Sequence, residues 1–204
     1  KKRVVVVVDK SAWGASVQKP FESAVRDAGA SVVVNESIQP FSSAAANIVA
    51  GILAKAKAAN ADVILWTGYE PDIAALAKKR VELGLSNVPV IVMGSIFSSL
   101  LSRDAISSAE AKNVYFIAVP MSPDFIVKFT AKYGEAPGNY ADRAYDGLMI
   151  VVNAIQNAPQ KDSDSIAAYM REKTHHQGYG GLYEFNESGD VLGGAWVISK
   201  VENN

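Results

Sequence analysis

Five consecutive valines, Val4 to Val8, follow a short basic start, and no polar residue interrupts them. A β-branched run of this kind favours extended backbone. With no polar side to offer water, it predicts a strand covered on both faces, as in the middle of a parallel sheet. Asp9, Lys10 and Ser11 end the run. Helical spacing of Val17, Phe21, Ala24, Val25 and Ala28 then predicts a helix from about Ala15 to Ala28, with Gly14 opening it and Gly29 stopping it. The same alternation recurs. Strands are expected at Ser31 to Val34, Asp62 to Trp66, Val88 to Met93 and Val114 to Val119. Between them fall a polar turn around Pro40, an alanine-rich helix over Ala44 to Ala59, a helix entered at Pro71 and a short helix around Phe97 to Arg103. Five strands alternating with four helical segments predict an α/β fold with a doubly wound parallel sheet.

After Met121 the rhythm changes. Three helices are expected in succession, Pro123 to Tyr133, Tyr140 to Asn157 and Ser163 to Glu172. A Gly-rich stretch, Gln177 to Gly181, leads to strands at Leu182 to Phe185 and Ala195 to Val201, with a turn at Asn186 to Gly189. This order does not extend the βα alternation, so a boundary is placed near Pro120 to Pro123.

Composition narrows the function classes. Of 204 residues 49% are hydrophobic and 20% charged, the formal net charge is −1 and the pI is about 6.2. That is enough apolar material for a substantial core, and no basic stripe of the kind that binds nucleic acid is present. No apolar run has the length of a membrane helix. Without cysteine there are no disulfides, thiolate nucleophiles or zinc–thiolate sites. Phosphate-loop, dinucleotide and nucleophile-elbow patterns are missing, and the only histidines, His175 and His176, are neighbours on an expected loop. No cofactor and no metal are expected.

Three segments remain, each following a strand: Asp9 to Gly14 with Ser11, Ala12 and Trp13; Thr67 to Pro71 with Tyr69 and Glu70; and Gly94 to Phe97 with Ser95 and Ile96. In open parallel sheets ligands bind beyond the carboxyl ends of the strands, where all three open. Aromatic side chains flanked by small residues suit an apolar small-molecule cradle, and the helix starts there offer free N–H groups to a carboxylate. No acid–base pair accompanies them, so binding is favoured over catalysis. The competing reading is that Trp13 and Tyr69 merely plug the rim of the sheet.

The stretch VVVVVDKSAWGASVQKPFESAVRDAGA resembles the start of the second lobe of type I periplasmic solute-binding proteins, the branched-chain amino acid (Leu/Ile/Val) receptor group. ADVILWTGYEPDIAALAKKRVELGL, VPVIVMGS, the Tyr145-Asp146-Gly147 helix and GYGGLYEFNESGD follow in the family's order, over nearly all of the chain. The resemblance implies an extracytoplasmic receptor whose two lobes close on a ligand and deliver it to the membrane subunits of an ABC transporter. It implies that Trp13, Tyr69 and the position of Ile96 face the ligand, with Ser11, Ala12, Glu70, Ser95 and Phe97 beside them. Residues 1–121, joined by 195–204, would form one lobe, and 122–194 would belong to the other, whose first part and signal peptide would precede Lys1.

Amino-acid receptors of this group carry an acid where Ile96 stands, to pair with the ligand's ammonium. A buried ammonium without a partner is costly, so an aromatic or aliphatic carboxylate lacking the amine becomes a candidate ligand beside amino-acid-like ones. Helix Tyr140 to Asn157 would have an apolar side without its usual cover, which predicts self-association or rearrangement of the chain. The alternatives are a ligand-sensing receptor or regulatory domain of the same fold, and an α/β enzyme whose site is unrecognised.

Overall fold

The computed structural model describes residues 2–40, 44–93, 105–193 and 196–200. Two compact units divide the chain, Lys1–Ala118 with Ile198–Asn204, and Val119–Val197.

The first unit begins with β1 (Arg3–Asp9), whose residues beyond Arg3 are all buried. Pleating sends alternate valines to opposite faces. Val4, Val6 and Val8 pack with Val17, Phe21 and Val25 of α1 (Ala12–Asp27). Val5 and Val7 join Val49, Ile52 and Leu53 of α2 (Ala45–Ala58) and Ile73, Leu76 and Ala77 of α3 (Glu70–Glu82). The all-valine strand is therefore the shared wall of two cores, as its lack of a polar face requires.

β2 (Ser31–Ile38), β3 (Val63–Trp66), β4 (Val90–Met93) and β5 (Val114–Ala118) complete the parallel array. The sheet runs β2-β1-β3-β4-β5 and then β9 (Val197–Lys200). Pairing is parallel throughout the first five, with Val7 opposite Trp66 and Trp66 opposite Val92. From β1 the chain crosses to β2 on one side; from β3 it crosses to β4 on the other. The strand order thus reverses between β1 and β3, and that is where a doubly wound sheet opens a crevice at its carboxyl edge.

α1 starts at Ala12, not near Ala15, because the Ser11 hydroxyl caps it by accepting from the Gly14 N–H at 3.2 Å. Trp13 and Gly14 therefore lie in a first helical turn rather than a loop. β2 continues four residues past Val34, its register with β1 kept up to Ile38 opposite Asp9. The helix expected around Phe97 to Arg103 lies outside the described residues. A short α4 (Ser108–Ala111) was not foreseen, though Ser107 and Glu110 form a reciprocal cap around it.

The second unit holds α5 (Pro123–Tyr133), α6 (Ala141–Asn157) and α7 (Ser163–Lys173), followed by antiparallel β6 (His176–Gly178), β7 (Gly181–Phe185) and β8 (Val191–Leu192). His176 thus sits in a strand, not a loop. Asp146 of α6 explains why a Gly-rich segment is ordered there: its carboxylate accepts from the Tyr179 N–H at 2.9 Å and the Gly180 N–H at 2.7 Å. A Cβ at Gly178 would lie 2.3 Å from the Asp146 carboxyl carbon, so only glycine fits that approach.

Candidate functional site

The end of β1 is built around Asp9, whose side chain is buried. Its Oδ1 accepts from the Ser11 N–H at 2.9 Å, and its Oδ2 accepts from the Thr67 hydroxyl at 3.0 Å. The Thr67 Oγ1 in turn accepts from the Asp9 N–H at 3.0 Å. This reciprocal pair ties the segment after β1 to the segment after β3. Gly14 packs so closely on the strand end that a Cβ would stand 1.9 Å from the Asp9 carbonyl oxygen. Glycine is therefore needed there for α1 to begin where it does.

Held this way, Trp13 and Tyr69 meet. Their ring centroids are 6.3 Å apart with an interplanar angle of 63°, an edge-to-face contact. Trp13 is 38% exposed and Tyr69 half-buried. Neither is sealed in the core, and together they form an apolar ledge at the β1/β3 crevice.

Tyr69 is the residue before α3, in extended backbone. Its N–H donates to Oδ2 of Asp72 at 3.3 Å, and its carbonyl accepts from the Asp72 and Ile73 N–H groups, each at 3.0 Å. Asp72 is fully buried, and its Oδ1 has no partner among the described residues. Burial pushes its carboxyl above the usual carboxylate range; the Tyr69 N–H opposes that, and nearby Asp9 adds to it.

Of the remaining sequence candidates, Ser11 is the half-buried cap of α1 and Ala12 its exposed first residue. Glu70 occupies the first position of α3. β4 ends at Met93 on the same edge, while Ser95, Ile96 and Phe97 lie outside the described residues. Asp9 opens one of the three segments expected from the sequence, but neither it nor Asp72 is among the residues expected at the site. The signal for Asp72 was an acid three residues after a helix cap, disguised because the capping position is tyrosine.

The second unit carries a concavity of about 500 Å³, lined among others by Ser122, Asp124, Lys128, Tyr145 and Tyr179. Among the described residues no group of His, Asp and Glu could hold a metal ion, and no helix is long and apolar enough to cross a membrane.

Known proteins with similar sequences and folds share one theme. A family profile described as periplasmic binding protein matches residues 1–204. A Leu/Ile/Val-binding protein homolog from Brucella abortus is 22% identical over 218 residues, covering 98% of this chain and 54% of its own. A leucine-, isoleucine-, valine-, threonine- and alanine-binding protein from Pseudomonas aeruginosa is 24% identical, over 93% of this chain and 50% of its own. Among solved structures, a leucine-binding protein from Thermotoga maritima superposes with a TM-score of 0.82 at 22% identity, over 99% of this chain and 58% of that one. A solute-binding protein of an ABC transporter from Rhodopseudomonas palustris, in complex with 3,4-dihydroxy benzoic acid, superposes with a TM-score of 0.73 at 22% identity, over 100% and 57%. The chain spans about half the length of the curated relatives it matches.

Proposed function

Since the chain belongs to the periplasmic binding protein family, we propose that it is the ligand-gripping part of an extracytoplasmic receptor for an ABC-type uptake system. The receptor holds a small organic molecule between two lobes and hands it unaltered to the transporter's membrane subunits. The observation that carries this reading is the Trp13–Tyr69 ledge at the point where the strand order reverses. Of the two buried acids there, Asp9 has both oxygens committed, to the Ser11 N–H and the Thr67 hydroxyl, and Asp72 is turned to the Tyr69 N–H. The ledge therefore offers apolar and π surface rather than acid–base chemistry, which suits binding.

Trp13 and Tyr69 contribute apolar contact area in this proposal, with Ser11 and Ala12 at the first helix start and Glu70, Ser95, Ile96 and Phe97 completing the rim. Residues 1–121 and 195–204 form this lobe, and 122–194 belong with the partner lobe. The ligand is amino-acid-like or an aromatic or aliphatic carboxylate; Ile96, standing where amino-acid receptors of this group carry an acid, favours a molecule without an α-ammonium.

A second feature supports the two-lobe reading. The buried stripe of α6 is Asp142, Asp146, Ile150 and Ala154, while Tyr145, Leu148, Met149, Val152 and Ile155 are exposed. Such inverted amphipathicity is expected of a helix whose apolar side belongs against another body. A thermal-shift screen against amino acids and hydroxybenzoic acids tests the proposal. Saturable stabilisation by a compound of either class is expected; a flat response to both classes would contradict it.

A further inference from the structure

Two buried aspartates stand in the elements that carry the aromatic ledge, Asp9 at the end of β1 and Asp72 in the first turn of α3. Asp9 uses both carboxylate oxygens, on the Ser11 N–H and the Thr67 hydroxyl. Asp72 uses one, and its other oxygen is buried without a partner among the described residues. An ionisable group in that state costs stability. Among the described residues, the bond that its carboxylate makes goes to the backbone of Tyr69. The Asp72 carboxylate anchors the Tyr69 backbone from within the helix, as the acid of a capping box does. The links run without a break: Asp9 to Thr67, Thr67 through Gly68 to Tyr69, Tyr69 to Asp72. They join the two segments that carry the contact of Tyr69 with Trp13.

We infer that Asp72 is a positioning residue: by fixing the backbone of Tyr69 at the start of α3, it sets the edge-to-face seating of Tyr69 on Trp13. Asp9 does the same for the Trp13 side through Ser11. The aromatic ledge is then pre-organised before any ligand arrives, which lowers the ordering cost of binding. Its functional meaning rests on the proposed ligand site, but the geometry can be tested without any ligand.

The chain contains three tryptophans, so 5-fluorotryptophan labelling gives a sparse fluorine NMR spectrum in which Trp13→Phe identifies the Trp13 line. Tyr69→Ala is expected to displace that line by removing the ring beside it. Asp72→Ala is expected to carry it most of the way towards the Tyr69→Ala position. Asp72→Asn, which keeps an oxygen acceptor for the Tyr69 N–H, is expected to leave it close to wild type. In the double variant Tyr69→Ala/Asp72→Ala the second substitution should add nothing to the first.

A Trp13 line that ignores Asp72→Ala while responding to Tyr69→Ala overturns the inference, as does one that ignores both. A line that moves equally in Asp72→Asn and Asp72→Ala overturns it too, because the acceptor would then be irrelevant. A thermal-shift response to L-leucine or 3,4-dihydroxy benzoic acid that is the same in wild type and Tyr69→Ala contradicts the ligand-site reading alone and leaves the positioning role standing.

Discussion

Arg80 is a fully buried cation whose hydrogen bonds among the described residues go to backbone carbonyls. Its guanidinium donates to the carbonyls of Ser86, Val88, Glu110 and Lys112, closing the turn after α3 and the approach to β5. Burial pushes its pKa down, yet the planar fork keeps several charge-assisted bonds at once, which a lysine cannot reproduce. Arg80→Met should therefore lower stability by about 3 kcal/mol, since the carbonyls are left without their donor; urea unfolding measures this. Asp72 makes the opposite case. Its carboxyl binds a proton more tightly in the folded chain than in the unfolded one. Stability from this group is thus greatest below the ordinary aspartate range and falls as pH rises through the raised pKa. Asp72→Asn should unfold at a higher temperature than wild type at pH 7, with the gap closing as pH drops to about 4. Calorimetric scans across that range read the closing gap.

At the level of elements, much of the layout was legible because β1 is apolar on both faces and each strand end is punctuated. The valine run, Trp66-Thr67-Gly68 and Met93-Gly94 mark strand ends by chemistry alone. What stayed hidden depended on partners distant in sequence. The start of α1 at Ala12 needs Asp9 to hold the Ser11 N–H, and without a Glu three residues on there was no capping-box pattern to see. β6 was hidden beside a Gly-rich stretch because the turn that follows it is held by Asp146, more than thirty residues earlier. Pro20 lies inside α1 on its exposed side, where it removes a helix hydrogen bond. Pro20→Ala should raise stability by about 1–3 kcal/mol, measured by thermal or urea unfolding; an unchanged midpoint would mean that the chain benefits from the break.

For the whole molecule, the exposed apolar side of α6 is the most consequential feature. Leu148 is 60% exposed and Ile155 45%, whereas two acids, Asp142 and Asp146, share the side turned inward with Ile150 and Ala154. The 204-residue chain by itself should therefore self-associate, and multi-angle light scattering should show mass rising with concentration. Leu148→Glu and Val152→Glu should suppress that rise without loss of helix content. A concentration-independent monomer in the unsubstituted chain would contradict this reading of the face.

The proposed function rests on Trp13 and Tyr69 acting as one ligand-contacting ledge at the reversal of strand order. The most direct test is a ligand thermal-shift series run side by side on wild type, Trp13→Ala and Tyr69→Ala, using amino acids and hydroxybenzoic acids. Each substitution should weaken the stabilising compound by about 1.5–3 kcal/mol, roughly a tenfold to hundredfold loss of affinity. Equal stabilisation of all three proteins would place the binding surface elsewhere.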